Sequence, residues 1–344
     1  MSVAGYSSVI ERVNALLEAM PKRRVVVVGD AMLDIYMIGD VERISPEAPV
    51  PVVRVNDRRY ALGGAANVAA NVAAIGAEVT LVATVGDDRR GEQLRTELVA
   101  AGIRDDGIVV TPERPTTSKT RVVARGQQML RFDEEEDALL EGSTLEALQK
   151  RMAKALKNVD AVLLEDYNKG TLAPAVIESA LETARARGIP SVVDPKFKQF
   201  FNYKGATVFK PNRRELEAAL GAAVDVEHAD TLPAVMEQLH VDNLLLTLGP
   251  HGMALLTKNG TIERFPTHAR EVYDVSGAGD TVTAWVGTAL AAGATMREAA
   301  ELANYAAGIE VAKAGVAVVS RQEVRDLFER KYDEVGMFRR GGVL

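Results

Sequence analysis

The chain has 344 residues, no cysteine and a formal net charge of -7 at pH 7. This length fits one large α/β domain over residues 1–344, and the lack of cysteine excludes disulfides and thiolate metal sites. The acidic balance argues against non-specific nucleic-acid binding, and residues 1–20 lack the basic and apolar regions of a signal peptide. We therefore expect a cytoplasmic protein that binds neither nucleic acid nor membrane and holds anionic ligands through local groups or a metal ion.

The first elements are a helix predicted over 7–19 and a buried strand predicted over 25–28, where four valines follow one another. Asp30 and Asp34 come after this strand. Ligands of open α/β sheets collect at the carboxyl ends of strands, so both aspartates are placed to meet a substrate. Asp34 is the better candidate for binding hydroxyls, because Asp30 can equally cap the turn.

Two stretches of alternating residues, about 36–60 and 112–133, predict β insertions outside the main sheet. We expect them to pair into a small lid. An edge strand outside the sheet needs covering, which suggests that the lid joins two subunits of a homodimer. Arg121 and Arg131 lie in the second insertion, where the favoured interpretation of either arginine taken alone is a solvated strand face.

The segment 62–76 contains a glycine pair followed by a predicted small-residue helix. Gly63 and Gly64 allow a ligand to approach the backbone closely. Asn67 and Asn71 are four residues apart and share a helix face, and each needs hydrogen-bond partners if it is buried.

Strands and helices then alternate, which predicts a mainly parallel sheet with helices on both faces. Asp166, Asp194 and Lys196 stand at strand ends. The predicted strands lie at 79–86, 161–167, 191–196 and near 208, and the predicted helices at 91–102, 174–188 and up to 221.

Asn212 and Glu215 lie three residues apart in the first turn of a predicted helix. Their oxygens can face one hydrated Mg²⁺, although the same spacing forms a helix capping box. Thr247 and Gly249 belong to a strand–turn–strand segment over 243–257 that could admit phosphates.

The segment 274–287 reads DVSGAGDTVTAWVG. Gly277, Ala278 and Gly279 form a turn that opens a helix, so free N–H groups and the positive end of the helix dipole suit an anion. Asp280 in the first helical turn could take a proton during transfer of a charged group to a hydroxyl, or could merely cap the helix. Helices are also predicted at 296–313 and 321–330, before an unstructured glycine-rich tail.

Two common nucleotide motifs are absent: no Walker loop occurs, and Val282 replaces the third glycine of a dinucleotide fingerprint. Four other motifs occur in the order of the ribokinase-like (PfkB) carbohydrate kinases: GGAANVA at 63–69, KPN-x-x-E at 210–215, TLG at 247–249 and DVSGAGDT at 274–281. The chain resembles this family from residue 25 to about 320. The segments VVVVGDAMLDIYMIGDVERISPEAPVPVV, SKTRVVARGQQMLRFD and EVYDVSGAGDTV are similar to the heptose 7-phosphate kinase branch, which includes the kinase half of bifunctional heptose-activating enzymes.

The resemblance implies a ribokinase-like three-layer αβα sandwich with a β lid. It implies ATP- and Mg²⁺-dependent phosphorylation of the C1 hydroxyl of D-glycero-β-D-manno-heptose 7-phosphate, a step in ADP-heptose synthesis for the lipopolysaccharide core. Asp280 then acts as the base and the 277–279 amides as the anion hole. The family's sugar site falls on Asp34, Gly63, Gly64 and Asn67; its nucleotide site on Asn212, Glu215, Thr247, Gly249 and Asn304; and a K⁺ loop on Asp274 and Ser276.

For the sugar 7-phosphate we hypothesise that Lys196 acts with Arg121 or Arg131, because phosphate favours arginine forks. The chain departs from the family pattern at Trp285, which we expect to fill a packing gap. It also lacks an H-x-G-H nucleotidyltransferase motif, so we expect no second activity. Two alternatives stay open: a kinase of this fold acting on a plain sugar, a fructose phosphate or a nucleoside, and a catalytically silent sugar-binding regulator.

Overall fold

The computed structural model describes residues 3–224, 231–269 and 272–340. The described strands are β1 (Arg24–Gly29), β2 (Ala31–Ile44), β3 (Pro51–Gly64), β4 (Glu78–Gly86), β5 (Ile108–Thr111), β6 (Ser118–Ala124), β7 (Gln127–Glu134), β8 (Ala161–Glu165), β9 (Ser191–Asp194), β10 (Val208–Phe209), β11 (Asn243–Thr247), β12 (Met253–Thr257) and β13 (Ile262–Phe265). The described helices are α1 (Val3–Ala19), α2 (Ala65–Ile75), α3 (Arg89–Ala100), α4 (Gly142–Ala155), α5 (Pro174–Arg187), α6 (Arg213–Leu220), α7 (Thr231–Leu239), α8 (Ala278–Ala291), α9 (Met296–Glu310) and α10 (Arg321–Arg340). Among these helices, none combines the length and the apolar character that a bilayer span requires.

The main sheet has nine strands in the order β13-β12-β11-β10-β9-β8-β1-β4-β5. Its pairs are parallel from β11 to β5, and β12 and β13 add antiparallel strands at one edge. Successive β1 side chains face opposite helical layers: Val25 and Val27 pack with α2 and α8, and Val26 and Val28 pack with α4 and α5. The α/β prediction is therefore confirmed, because only a sheet covered on both faces buries such a continuous apolar run.

The insertions form a second sheet of four strands in the order β3-β2-β6-β7, called here the lid sheet. β2 pairs antiparallel with β3 and parallel with β6, so the two insertions meet along β2. The parallel β2–β6 pairing brings Asp34 and Tyr36 alongside Lys119 and Arg121.

Several elements differ from the sequence prediction. β3 extends to Gly64, because Leu62 to Gly64 pair with the start of β2, and the small-residue helix begins directly after the glycine pair, at Ala65. The helix predicted over 321–330 continues to Arg340, and the tail residues 341–344 lie outside the described residues. β5, α4, α7 and β13 were not predicted. Trp285 is fully buried in the core beside α9, as expected.

Candidate active site

Asp280 lies in the first turn of α8, directly after a turn that requires glycine. Gly277 caps the helix with φ 97°, in the left-handed region, and a Cβ there would lie 2.9 Å from Asn67 Nδ2. The first N–H groups of any α-helix have no acceptor within the helix. The Ala278 amide donates to the Val275 carbonyl over 3.4 Å. The positive end of the helix dipole and the Gly279 amide face the space beside the Asp280 carboxylate, which suits an anion.

Two side chains from other elements hold that carboxylate. Asn67 Nδ2 on α2 donates to Asp280 Oδ2 over 2.7 Å, and the Tyr167 hydroxyl donates to Oδ1 over 2.9 Å. The pKa of Asp280 is raised to about 6, because burial and the charge of Asp194 raise it by more than the two hydrogen bonds lower it. A carboxylate with this pKa is ionised at pH 7 and can accept a proton from a hydroxyl.

The two α2 amides have the partners that their predicted burial requires. Asn71 Nδ2 donates to Asn67 Oδ1 over 3.3 Å, and Thr281 Oγ1 donates to Asn71 Oδ1 over 3.2 Å. Both asparagines are buried. They thereby connect α2 to the start of α8 and fix the orientation of Asp280.

Asp34 lies on β2, the strand of the lid sheet that follows β1. Its carboxylate pairs with Arg121 over 2.5 Å, and the Arg121 guanidinium lies 5.3 Å from the centre of the Tyr36 ring. A Cβ at Gly63 would lie 2.8 Å from Asp34 Oδ2, and Gly64 has φ 56°. The glycine pair thus leaves no side chain between this part of β3 and the buried Asp34 carboxylate.

Asp30 has a structural role, which the sequence had left open beside a role in substrate binding. Its buried carboxylate accepts hydrogen bonds from the amides of Tyr167, Lys169 and Thr171, over 2.8, 2.9 and 3.0 Å. These bonds hold the loop after β8, and with it the Tyr167 hydroxyl, in place.

The other basic candidates lie in different surroundings. Arg131 on β7 pairs with the neighbouring Asp133, and about half of its side chain is exposed. Lys196 pairs with Glu215, and its Nζ lies 4.8 Å from the centre of the Tyr167 ring. The structure thus places Lys196 beside the candidate magnesium residues.

Asn212 and Glu215 form the capping box that their spacing allowed. Asn212 Oδ1 accepts from the Glu215 amide over 2.9 Å, and Glu215 Oε2 accepts from the Asn212 amide over 2.8 Å. A carboxylate has about four lone-pair sites, so the cap and Lys196 still leave Glu215 able to accept from a metal-bound water. The arrangement therefore fits a hydrated Mg²⁺ as well as a cap.

The remaining candidates lie at the end of β11, on α9 and in the loop before α8. Thr247 ends β11 and bridges to Asn212, and Gly249 takes φ 59° in the next turn. Asn304 on α9 is buried and donates to the Pro266 carbonyl over 2.7 Å. Asp274 Oδ1 accepts from the Ser276 amide over 2.9 Å in the loop before α8.

Three residues that the sequence analysis gave no role complete this region. Glu165 ends β8, Tyr167 follows it, and Lys210 follows β10 with its Nζ 2.6 Å from Asp194 Oδ2. All three come at the end of a buried strand. A position at the end of a buried strand was the sequence signal that could have identified them. The same signal identified the nearby Asp166 and Asp194.

The family model for pfkB family carbohydrate kinases matches residues 22–322. The chain belongs to this family. As a pfkB carbohydrate kinase it is an ATP-dependent sugar kinase, which confirms the enzyme class predicted from its motifs.

The solved Arabidopsis thaliana ribokinase, complexed with ribose and ATP, has a TM-score of 0.70 at 22% identity. The match covers 89% of this chain and 99% of the ribokinase chain. Phosphofructokinase-2 of Escherichia coli in complex with potassium has a TM-score of 0.72 at 17% identity and covers 90% and 98%. At these identities the likeness shows the ribokinase-like fold alone.

Similar sequences include the bifunctional protein HldE of Pelobacter propionicus, 45% identical over 300 residues, or 87% of this chain and 62% of that protein. The bifunctional protein HldE of Shewanella amazonensis is 44% identical over 324 residues, or 93% and 67%. The chain therefore spans about two thirds of the length of these relatives.

Proposed function

We propose that the chain transfers the γ-phosphoryl group of ATP to the C1 hydroxyl of D-glycero-β-D-manno-heptose 7-phosphate, giving the 1,7-bisphosphate for ADP-heptose synthesis. The observation that carries the reaction is the buried Asp280 carboxylate, held by Asn67 and Tyr167 next to the Gly277 turn. The choice of sugar rests on the resemblance of the segments at 25–53, 118–133 and 271–282 to heptose 7-phosphate kinases.

In this proposal Asp280 takes the proton of the sugar hydroxyl while the hydroxyl oxygen attacks the γ-phosphorus atom. The amides at 277–279 hold the charge on the transferred group, and Tyr167 and Asn67 keep the base oriented. Asp34, Gly63 and Gly64 bind the sugar. Thr247, Gly249 and Asn304 bind the nucleotide.

We further propose that Asn212 and Glu215 hold Mg²⁺ through water. When bound, Mg²⁺ supplies charge neutralisation for the phosphates. A K⁺ site at Asp274 and Ser276 is supported by the loop they share before α8, whose backbone is held to the end of α9.

Arg121 is the better-supported partner of the sugar 7-phosphate. It is mostly buried beside Asp34, whereas Arg131 is half exposed and Lys196 is engaged with Glu215. A homodimer through the lid sheet is supported by exposed apolar side chains on it, among them Met129, Leu130 and Phe132. We propose a cytoplasmic location, because the reaction needs ATP and a sugar phosphate.

The test is ATP consumption with Mg²⁺ across heptose 7-phosphate, fructose 6-phosphate, ribose and adenosine, with ³¹P NMR to locate the new phosphate. We expect turnover to be highest with the heptose phosphate and the product to carry a phosphate at the anomeric carbon. If turnover is highest with another acceptor, that acceptor would replace heptose 7-phosphate as the proposed substrate. An inert panel would support the silent sugar-binding regulator.

A further inference from the structure

Lys196 lies between the candidate base and the candidate magnesium residues. Its Nζ is 4.8 Å from the centre of the Tyr167 ring, and the hydroxyl of that ring donates to the Asp280 carboxylate. On its other side the same Nζ pairs with Glu215 Oε1, the oxygen that the helix cap leaves free, because the cap uses Oε2. One ammonium group is therefore placed next to both parts of the site.

The carboxyl edge of the sheet has more carboxylates than ammonium groups around this point. Asp194, Asp280 and Glu215 provide three carboxylates, whereas Lys196 and Lys210 provide two ammonium groups. The triphosphate of ATP brings further negative charge, so its approach to Asp280 requires a cation that it can reach. Lys210 is 2% exposed and bonded to Asp194, but 24% of the Lys196 side chain is exposed. Of these two lysines, Lys196 is the one that a phosphate can contact.

Glu165 adds little to this negative charge. It ends β8, and one of its oxygens lies within 4.8 Å of an Asp194 oxygen. Its side chain is 0% exposed, and neither carboxylate oxygen has a hydrogen-bond partner among the described residues. Burial raises the pKa of Glu165 well above its usual value, which favours the neutral, protonated form. The anionic partners of Lys196 in the free protein are therefore mainly Asp194 and Glu215.

We propose that Lys196 turns from Glu215 to the γ-phosphate when ATP binds, and contacts the group that is transferred. The inference rests on the proposed phosphoryl transfer and adds a residue to it. The γ-phosphorus atom has to lie next to the hydroxyl that Asp280 deprotonates, and the Tyr167 ring joins Asp280 to Lys196. The α- and β-phosphates lie farther from that hydroxyl, so the contact is specific for the γ-phosphate.

The lysine side chain is suited to such an exchange of partners. It is a flexible stem that ends in a compact charge with three donors, so rotation about its own bonds can move Nζ from one anion to another. A terminal phosphate carries more negative charge than a carboxylate and offers three acceptor oxygens. Burial lowers the pKa of Lys196, but Asp194 and Glu215 raise it by more, so the ammonium stays charged. The exchange also frees Glu215 Oε1 to accept from a metal-bound water.

The experiment compares nucleotides with and without the γ-phosphate. Isothermal titration calorimetry in excess Mg²⁺, with no sugar present, measures the affinities for ADP and for β,γ-imido-ATP, which is not hydrolysed. In Lys196→Met we expect the affinity for the ATP analogue to fall by about 10- to 100-fold and that for ADP to change by less than about twofold. The matched control is Lys198→Met. Lys198 lies in the same loop but pairs with Asp137, so both affinities should stay within about twofold of wild type.

A loss of equal size for both nucleotides in Lys196→Met, or a loss for neither, would overturn the inference, because only a γ-phosphate contact separates the two. Thermal unfolding shows whether the variant is folded. If it is not, Lys196→Gln removes the charge while its amide still donates to Glu215, and the same selective loss is expected. The acceptor panel tests the reaction separately. Turnover there without selective loss here would leave the proposed function standing and remove Lys196 from it.

Discussion

The carboxyl edge of the main sheet and the lid sheet both carry ion pairs, but in opposite surroundings. In the Lys210–Asp194 pair the side chains are 2% and 7% exposed, whereas in the Arg54–Glu42 pair on the lid they are 66% and 63% exposed. Burial makes the first pair costly to form and more costly to break, while solvent screens the second. Because buried charges are costly to keep, their presence indicates that the active site lies at the main-sheet edge.

The inner part of the lid sheet departs from this contrast. Arg121 and Asp34 are mostly buried, and they lie on the two central strands, where the insertions meet. The outer strands β3 and β7 carry exposed pairs such as Arg59–Asp57. The lid therefore divides into an inner part suited to ligand contact and an outer part suited to solvent.

The largest expected effect is at the main-sheet edge. Asp280→Asn removes the base but keeps the size of the side chain, so kcat should fall by about 10²- to 10⁴-fold with ATP affinity retained. Steady-state kinetics and nucleotide titration measure both. Asp57→Asn on the lid, an exposed aspartate paired with Arg59, is the control and should leave kcat unchanged. Near-normal turnover of Asp280→Asn would contradict its assignment as base.

The second prediction concerns stability. Lys210→Met leaves the buried Asp194 without its partner and should lower the free energy of unfolding by about 3–5 kcal/mol. Urea denaturation measures this change. Lys258→Met, which removes an exposed partner of Asp242, should cost at most about 1 kcal/mol. Equal losses in the two variants would remove the distinction between the two regions.

The third prediction tests the inner part of the lid. Arg121→Ala removes a charged donor near the proposed sugar site, so KM for the phosphosugar should rise by about 10- to 100-fold, from about 1.5–3 kcal/mol for such a bond. The kcat value should change less. Arg59→Ala on the outer strand is the control. If KM is unchanged in Arg121→Ala but raised in Arg131→Ala, the contact with the sugar phosphate would be assigned to Arg131 on β7 instead.

The fourth prediction is a pH profile. Burial raises the pKa of Asp280 to about 6, and only the ionised form accepts a proton, so kcat/KM should fall about tenfold per pH unit below 6. The Tyr167 hydrogen bond lowers this pKa, so Tyr167→Phe should move the acid limb to higher pH. An acid limb that stays in place in Tyr167→Phe would argue that another group controls it.

The sequence predicted the fold well because its strongest signals are local. Continuous valines in β1 and the glycine turn before α8 each specify one element without reference to the rest of the chain. The shorter elements, such as the four-residue strands β5 and β13, are too short to show a recognisable alternation of apolar and polar residues.

The site could be predicted only in part, because its decisive contacts are distant in sequence. Tyr167 and Asp280 are 113 residues apart, and Arg121 and Asp34 are 87 apart. The motif around 274–281 identified Asp280 and the turn. It could not supply Tyr167 as the donor or reveal that Glu165 lies unpartnered beside Asp194, since both depend on how strands β8, β9 and helix α8 come together.

The smallest expected effect is on the outer lid. Arg54→Ala removes a partner of Glu42 in a pair that is mostly exposed, so the free energy of unfolding should change by about 0.2–1 kcal/mol at most, and less in high salt. Urea denaturation at low and high salt measures it, with Glu42→Ala as the reciprocal variant. A loss comparable to that of Lys210→Met would mean that this face is covered in solution. Such a result, accompanied by a concentration-dependent midpoint of unfolding, would locate the proposed dimer contact on the β2–β3 hairpin.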